Sequence, residues 1–299
     1  MATEFSITDY DIPIGEWVSA AVDWIQDNFT GVLDGFSDAI KFIIDNFEDG
    51  LLGLPPLLLA LIIIAIAAWR VSWRFGIFAF ISMALIFGMG IWDETISTLA
   101  LVIGSSFLAL VIGIPIGIAM ARKDMVEAVV RPVLDFMQTM PPFVYLIPAA
   151  IFFGLGKVPG AIATLVFAMP PAVRLTNLGI RQVSEEHVEA GRAFGCTDRQ
   201  LLFKVQLPLA MPSIMAGVNQ TIMLALSMVV IASMIGAGGL GNTVLTGIQR
   251  LDVGLGFEGG LGVVLLAILL DRITQSFGVT RATGPSRLRT RLKQVFGKG

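Results

Sequence analysis

Residues 95–120 have the sequence TISTLALVIGSSFLALVIGIPIGIAM, in which no residue is charged. A helix of about 20 apolar residues crosses the roughly 30 Å hydrocarbon core of a bilayer, so this stretch predicts a membrane-spanning helix. The composition of the 299 residues agrees, because 55% of them are hydrophobic and 14% are charged. A soluble domain has roughly a quarter of its residues charged. The sequence therefore predicts an all-α membrane protein.

Six further apolar runs lie on either side of this stretch. Each is about as long as a bilayer crossing requires. We therefore predict seven transmembrane helices, near residues 51–69, 73–92, 95–120, 133–153, 158–179, 210–235 and 255–277.

Basic residues are concentrated in alternate connections between these runs, and this pattern predicts the orientation. They follow the first, third and fifth runs, as Arg70 and Arg74, then Arg122, Lys123 and Arg131, then the segment from Arg174 to Lys204. Residues 281–299 add six bases and no acid. The positive-inside rule assigns such segments to the cytoplasm. We expect a multi-pass protein of the inner (cytoplasmic) membrane, with its N-terminus outside, a membrane domain over 51–280 and a basic cytoplasmic tail over 281–299.

The first fifty residues have the opposite charge, with eleven acids and the single base Lys41. Apolar residues recur at helical spacing from Ile14 to Ile25 and, after Gly31, from Leu33 to Phe47, which predicts two amphipathic helices. We expect this external acidic tail to be a scaffold on the outer leaflet or a docking surface for an external partner. It lacks the positive segment and apolar run of a cleaved signal peptide, so none is expected.

The longest polar stretch between spans, residues 181–208, predicts two short helices joined by a bend. Ser184 is placed to cap the first helix, and Thr197 or Asp198 to cap the second. Gly195 tolerates the positive φ that often ends a helix. Pro208 is expected to break the chain just before the sixth span. Such an elbow in the cytoplasm is suited to insert into a groove on a partner protein.

The elbow carries a spacing that resembles the EAA motif, E-A-A-x3-G-x9-I-x-L-P, of permease subunits of ATP-binding-cassette importers. The matching residues are Glu189, Ala190, Gly191, Gly195, Val205, Leu207 and Pro208, with Gly in place of the third Ala and Val in place of Ile. The resemblance implies a type I importer permease whose elbow is the coupling helix, seated in a cleft of a separate ATPase subunit. ATP and magnesium would then be bound by that partner, and this chain would be neither an enzyme nor the holder of a cofactor.

A wider resemblance covers roughly residues 135–275 and concerns the permeases that take up proline and glycine betaine. It rests on the stretch from Phe203 to Ile235 with the following Gly238 to Gly241, and on the segments around Pro141 and Pro170. It implies import of a compatible solute such as glycine betaine. It also implies an external solute-binding protein and a second copy of this chain as partners, in membrane lipid and without nucleic acid.

Two polar or aromatic segments within the predicted spans are candidates for the solute path: Thr139, Met140, Pro141, Phe143 and Tyr145 in one, and Asn219, Gln220 and Thr221 in the other. Aromatic faces suit a quaternary ammonium group. Hydrogen bonds between helices explain Asn219 and Gln220 equally well. The Gly113 and Gly117 pair is expected to permit close helix packing, and the glycine-rich stretch 236–241 is expected to be a flexible turn.

Other chemistry finds little support in the sequence. Gly154 to Lys157 lacks both the earlier Gly and the following Ser or Thr of a phosphate-binding loop. Cys196 and His187 are each the only residue of their type, so no catalytic or metal site is predicted. A self-sufficient osmolyte channel or an ion-coupled secondary carrier remains the alternative function. The spans lack the central ionisable groups that such a carrier needs.

Overall fold

The computed structural model describes residues 13–278. The predicted basic tail over 281–299 and the first twelve residues of the acidic tail therefore lie outside the described residues. The described part contains α-helices and no β-strand, which confirms the predicted all-α class. The helices are α1 Ile14–Leu52, α2 Pro56–Arg70, α3 Trp73–Gly88, α4 Trp92–Arg122, α5 Asp124–Thr139, α6 Pro142–Phe153, α7 Lys157–Arg181, α8 Glu185–Ala193, α9 Asp198–Leu201, α10 Leu207–Ala232, α11 Gly239–Arg250 and α12 Val253–Gly278.

Four helical segments are long and apolar enough to cross a membrane: α4, α7, the run Asp198–Ile235 that contains α9 and α10, and α12. Two bent pairs, α1 with α2 and α5 with α6, raise the number to six if each pair counts as one span. α3 is a shorter apolar helix of 16 residues. Every predicted span thus has a helical counterpart, but the first and fourth differ from straight transmembrane helices. We call the two ends of the bundle the Trp92 end, where α4 begins, and the Arg122 end, where α4 stops.

The prediction of one continuous span over 133–153 was wrong. α5 and α6 meet there at 100°. The cause is the pair Pro141-Pro142, since a residue that precedes proline is pushed out of the helical region. Met140 and Pro141 accordingly have extended ψ angles of 136° and 139°. Pro55-Pro56 stands at the similar bend of 99° between α1 and α2.

The acidic segment forms α1, in which two helical segments meet at a kink, in agreement with the two predicted helices. The kink is at Phe29, with φ −122° and ψ 18°, two residues before the predicted junction at Gly31. α1 lies across the Trp92 end, against α4, α6 and α7. There Glu48, 7% exposed, accepts hydrogen bonds from Ser97 of α4 and Lys157 of α7. Because a buried carboxylate is costly unless it is paired, this contact fixes where α1 sits.

Glycines bring α4, α7 and α10 into close contact at the centre of the bundle. A Cβ atom on Gly117 of α4 would lie 2.6 Å from the carbonyl oxygen of Val173 of α7. A Cβ atom on Gly217 of α10 would lie 3.1 Å from the carbonyl oxygen of Pro171. Gly113 likewise packs against Ala172 of α7, so the packing interpretation of the Gly113 and Gly117 pair is confirmed.

The glycine-rich stretch 236–241 is more ordered than the flexible turn that we predicted. Gly236, Gly238 and Gly239 have positive φ, and α11 begins at Gly239. Leu240 is fully buried, and its backbone N–H donates to the hydroxyl of Thr98 in α4 at 2.8 Å. This turn therefore fastens the Trp92 end of α10 to α4.

The close contact of α4 with α7 predicts that Gly117→Ala is destabilising, because the added methyl group meets backbone and not a movable side-chain end. Overpacking of this kind costs about 1–3 kcal/mol. The matched control is Gly260→Ala in α12, where nothing lies within 4 Å of the added Cβ. We expect thermal unfolding of the purified protein in detergent to shift to lower temperature for Gly117→Ala alone. Equal unfolding midpoints for the two variants would contradict the packing described.

Candidate functional site

The predicted elbow is present as α8, a bend and α9. Gly195 has φ 79°, as its predicted role at the end of α8 requires. The hydroxyl of Thr197 accepts the N–H of Gln200, whose side chain in turn accepts the N–H of Thr197. This capping box confirms Thr197 as the cap of the second helix. Ser184 precedes α8 but makes no capping hydrogen bond, since its hydroxyl pairs with the His187 ring.

The inner face of the elbow is held by the packing and hydrogen bonding of Gly191. Gly191 is buried in α8, and a Cβ atom placed on it would lie 2.7 Å from Cδ1 of Leu201 and 3.6 Å from Cγ2 of Val205. The N–H of Cys196 also donates to the carbonyl of Gly191 at 3.1 Å, which closes the bend. α8 is thereby fixed to the helical run that leads into α10.

The outer face of the elbow is exposed and mixed in character. Helical spacing puts Glu186, Glu189 and Ala193 on the side of α8 opposite Gly191, with Ala190 at the edge of that side, and all four are exposed. Phe194, at the end of α8, is 89% exposed. An exposed aromatic side chain such as Phe194 is of the kind that is enriched where proteins contact each other.

The predicted break at Pro208 was wrong, because the chain is helical from Asp198 to Ile235. Residues Leu202–Gln206 form a π-helical turn, and the N–H of Leu207 donates to the carbonyl of Leu202, five residues back. A wider turn makes room for the ring of Pro208, which in an α-helix would meet the carbonyl four residues earlier. The elbow is therefore joined to α10 by a continuous helical run.

The comparisons with known proteins bear directly on this arrangement. Residues 113–278 match the family described as binding-protein-dependent transport system inner membrane component. The chain belongs to this family. The match spans the segment from the middle of α4 to the end of α12, including the elbow, and it confirms the resemblance to importer permeases drawn from the sequence.

Individual relatives agree with the family match. The chain is 51% identical, over 89% of its length and 75% of the relative's, to the glycine betaine/proline betaine transport system permease protein ProW of Escherichia coli. It is 47% identical to the glycine betaine transport system permease protein OpuAB of Bacillus subtilis, over 90% and 96% of the two chains. An inward-facing structure of the MetNI methionine ABC transporter shares the fold, with TM-score 0.57 and 22% identity over 63% of this permease and 94% of that chain.

The first predicted path segment lies at the bend between α5 and α6. The hydroxyl of Tyr145 donates to the carbonyl of Met137, four residues before Pro141. That carbonyl has no helical partner because proline lacks an N–H. Tyr145 thus satisfies a group that the bend leaves free, while its ring packs 6.5 Å from that of Phe167 in α7. Phe143 remains 52% exposed.

The other two members of this segment contribute less. The hydroxyl of Thr139 donates to the carbonyl of Phe136, within the last turn of α5. Met140 is partly buried and Pro141 is exposed. These residues shape the bend and leave Phe143 as the member with a free aromatic face.

The second predicted segment lies on α10 and faces α12. Asn219 donates to Asp271 at 2.9 Å and accepts from Thr274 at 2.6 Å. The alternative explanation, hydrogen bonding between helices, therefore holds for Asn219. Gln220 is exposed beside a cleft of about 360 Å³, and Thr221 is fully buried. No hydrogen bond in the described residues joins this segment to Tyr145.

Sequence reasoning missed a charged cluster at the Arg122 end. It consists of Asp124 and Glu127 of α5, Asn177 and Arg181 of α7, and the carbonyl of Met120 in α4; we call it the Arg181 cluster. It borders a cleft of about 330 Å³ that also contains Arg131, Asp135 and Arg174. The spacing of these residues could have predicted the cluster. Arg174, Asn177 and Arg181 lie at i, i+3 and i+7 on one helix face, as do Asp124, Glu127 and Arg131.

The bend between α5 and α6 predicts that Tyr145→Phe destabilises the protein. This change keeps the ring against Phe167 but leaves the Met137 carbonyl without its donor, at a cost of about 1–3 kcal/mol. We expect a lower thermal unfolding midpoint in detergent. Phe143→Leu, at an exposed position of the same segment, is the control and leaves the midpoint nearly unchanged. A Tyr145→Phe protein as stable as the wild type would show that the hydroxyl contact is dispensable.

Proposed function

We propose that this chain is the non-catalytic permease subunit of an ATP-driven importer of a compatible solute. The best-supported cargo is glycine betaine or a related methylated osmolyte, with proline betaine, choline, trimethylamine N-oxide and dimethylsulfoniopropionate as further candidates. The proposal includes a homodimer of this chain, two ATPase subunits at the Arg122 end and an external solute-binding protein at the Trp92 end.

The observation that carries this proposal is the elbow. Its inner face is fastened to α10 through Gly191, and its outer face presents Glu189, Ala190 and Phe194 to a partner. A surface that is exposed, rigid and continuous with a central helix is what a separate motor subunit needs in order to move the membrane domain. A self-sufficient channel has no use for such a projection.

Solute selection is assigned to the external binding protein. The hydroxyl of Tyr145 is already engaged at the α5–α6 bend, and Asn219 is bonded to α12, so two of the polar or aromatic candidates serve the fold. The permease then needs only a permissive path, to which Phe143 and Gln220 are the remaining contributors. The names of the relatives support a betaine as the cargo.

The proposed orientation puts the Trp92 end outside and the Arg122 end in the cytoplasm. α2 is the helix of the first predicted span, and α1 is bent by 99° from it. If α2 crosses the membrane, α1 therefore lies along the surface of the outer leaflet. Exposed apolar residues such as Trp17, Trp24 and Phe42 suit an interfacial position, while the acidic side faces water.

This orientation predicts the labelling of single cysteines in a Cys196→Ser background. Asp38→Cys of α1 is expected to react in intact cells with a thiol reagent that cannot cross the membrane, and Arg199→Cys of α9 only after the cells are opened. Both native side chains are exposed, so accessibility is matched. The reverse pattern would overturn the orientation.

The function itself is tested by reconstitution in liposomes. We expect accumulation of radiolabelled glycine betaine only when this chain, the ATPase subunit encoded with it, the binding protein and ATP are all present. Vesicles that hold this chain alone are expected to show no flux. Flux through this chain alone, without ATP, would instead establish the channel or carrier alternative.

The contact with the ATPase is tested in the same assay with Glu189→Lys. Reversing the charge on the outer face of α8 is expected to abolish ATP-driven uptake and co-purification of the ATPase, while the chain still inserts. The control Asp93→Lys reverses an exposed charge at the opposite end of the bundle and keeps the ATPase bound. If Glu189→Lys retained normal uptake, α8 would not be the coupling surface.

A further inference from the structure

Arg181 stands at the junction between the membrane domain and the elbow. It is the last residue of α7, and only three residues separate it from the first residue of α8. A displacement of the elbow reaches α7 through this short connection. The contacts of Arg181 therefore bear on which helices are attached to this end of α7.

The guanidinium of Arg181 joins three helices. Nη2 donates to the carbonyl of Met120 in the last turns of α4 at 2.9 Å and to Asp124 of α5 at 2.7 Å. Nη2 also lies 2.9 Å from Oε2 of Glu127, and Nε donates to Asn177 of its own helix at 3.0 Å. The Met120 carbonyl is one of those that a helix end leaves without an intrahelical donor. Asn177 in turn donates to Glu127 at 3.2 Å.

The ion pair with Glu127 is partly shielded from water. The Glu127 side chain is 16% exposed and that of Arg181 is 36% exposed. Charge-assisted hydrogen bonds from a planar, multidentate guanidinium fix geometry as well as distance. This contact therefore holds α5 in one position relative to α7, unlike a flexible surface pair.

α5 has a small apolar attachment, in which Leu134 and Met137, with Val126 and Val130, pack against Met120 of α4 and Val173 of α7. Of its sixteen residues only Leu134 and Met137 are buried, and the exposed apolar side of the helix includes Met125 at 81% and Phe136 at 63%. Its other ionic contact with α7 is the pair of Asp135 with Arg174. The polar face of α5 thus fastens it to α7, and its far end leads directly into the bend at Pro141-Pro142.

We propose that Arg181 is a positioning residue of the transport cycle, which makes α5 follow the end of α7 so that movement of the elbow reaches the α5–α6 bend. The bend carries Phe143, the member of the first candidate path segment with a free aromatic face. This inference rests on the proposed function, since it needs an ATPase that moves the elbow. No residue of the EAA-like spacing lies in the Arg181 cluster.

The first test measures solute imported per ATP hydrolysed by the complete importer in proteoliposomes. Arg181→Gln is expected to lower this ratio about tenfold, within the range usual for coupling between sites. Its ATPase activity and the amount of assembled complex should stay near wild type. Arg181→Lys keeps the charge but not the multidentate geometry, and we expect an intermediate ratio.

The matched control is Arg131→Gln. Arg131 also donates to Glu127, at 2.7 Å, but from the same helix, so its loss removes a charge beside the same carboxylate without separating two helices. We expect its transport ratio to equal that of the wild type. An equal loss of coupling in Arg131→Gln and Arg181→Gln would overturn the proposal, because the charge and not the link between helices would then matter.

A second test restores the link by other means. Asp124→Cys and Arg181→Cys are combined in a Cys196→Ser background and bridged with a short bis-methanethiosulfonate reagent. We expect the unbridged double variant to be uncoupled, the bridged one to recover its transport ratio, and reduction to reverse the recovery. A bridged complex that stays uncoupled would overturn the proposal.

These outcomes distinguish a failure of the proposed function from a failure of the role proposed for Arg181. If the wild-type complex shows no ATP-driven uptake, the proposed function fails. If the wild type transports and Arg181→Gln keeps a normal ratio, only the role of Arg181 fails. Should Arg181→Gln fail to assemble, the bridged double variant still decides the question, because assembly and coupling are measured on the same sample before and after bridging.

Discussion

The structure depends on one constraint: inside hydrocarbon no water is available for backbone N–H and C=O groups, so each must find a partner within the protein. Proline leaves a carbonyl in the preceding turn without its helical N–H donor, and the chain accommodates its prolines in three ways. At Pro141-Pro142 the helix breaks, and Tyr145 takes the carbonyl left free. At Pro208 a π turn widens the helix without breaking it. Pro170 and Pro171 lie within α7, which stays continuous, and both are fully covered by neighbouring helices.

The same constraint separates charge from the centre of the bundle. The described ion pairs between helices lie toward the two ends of the bundle, with Glu48 and Lys157 at the Trp92 end and the pairs of α5 with α7 toward the Arg122 end. Between them α4, α7 and α10 meet at glycines, where dispersion contacts between closely spaced backbones replace polar attraction. The centre resists deformation because it is tightly packed. The ends hold directional polar contacts, which fix how the helices lie relative to one another there.

How much the sequence could predict depends on whether a feature is local. The elbow was predictable because Gly195 and Thr197 act on their own backbone, and the contact of Gly113 with α7 was predictable because small residues have a single common use in membrane helices. The 100° bend at Pro141-Pro142 was not predictable in this way. Hydropathy reports how apolar a segment is and not the direction of its helix axis, and the apolar run continues across the bend. The Arg181 cluster escaped notice because its two halves, on α5 and α7, are 50 or more residues apart in sequence. Taken alone, each half resembled a solvated polar end of a helix.

Gly191 shows how a departure from a family pattern follows from packing. The EAA spacing has Ala at this position, and a methyl group here would approach Cδ1 of Leu201 to 2.7 Å. Because that atom is the end of a flexible side chain, an Ala could be accepted after a small movement of Leu201, whereas Gly permits the closer approach without it. The closer α8 lies to the helix that continues into α10, the less of a displacement imposed on the elbow is absorbed between them. Gly191 and the Arg181 cluster thus make similar contributions to the proposed coupling. Gly191 holds the elbow close to the helix that continues into α10, and the Arg181 cluster holds α7 to α5.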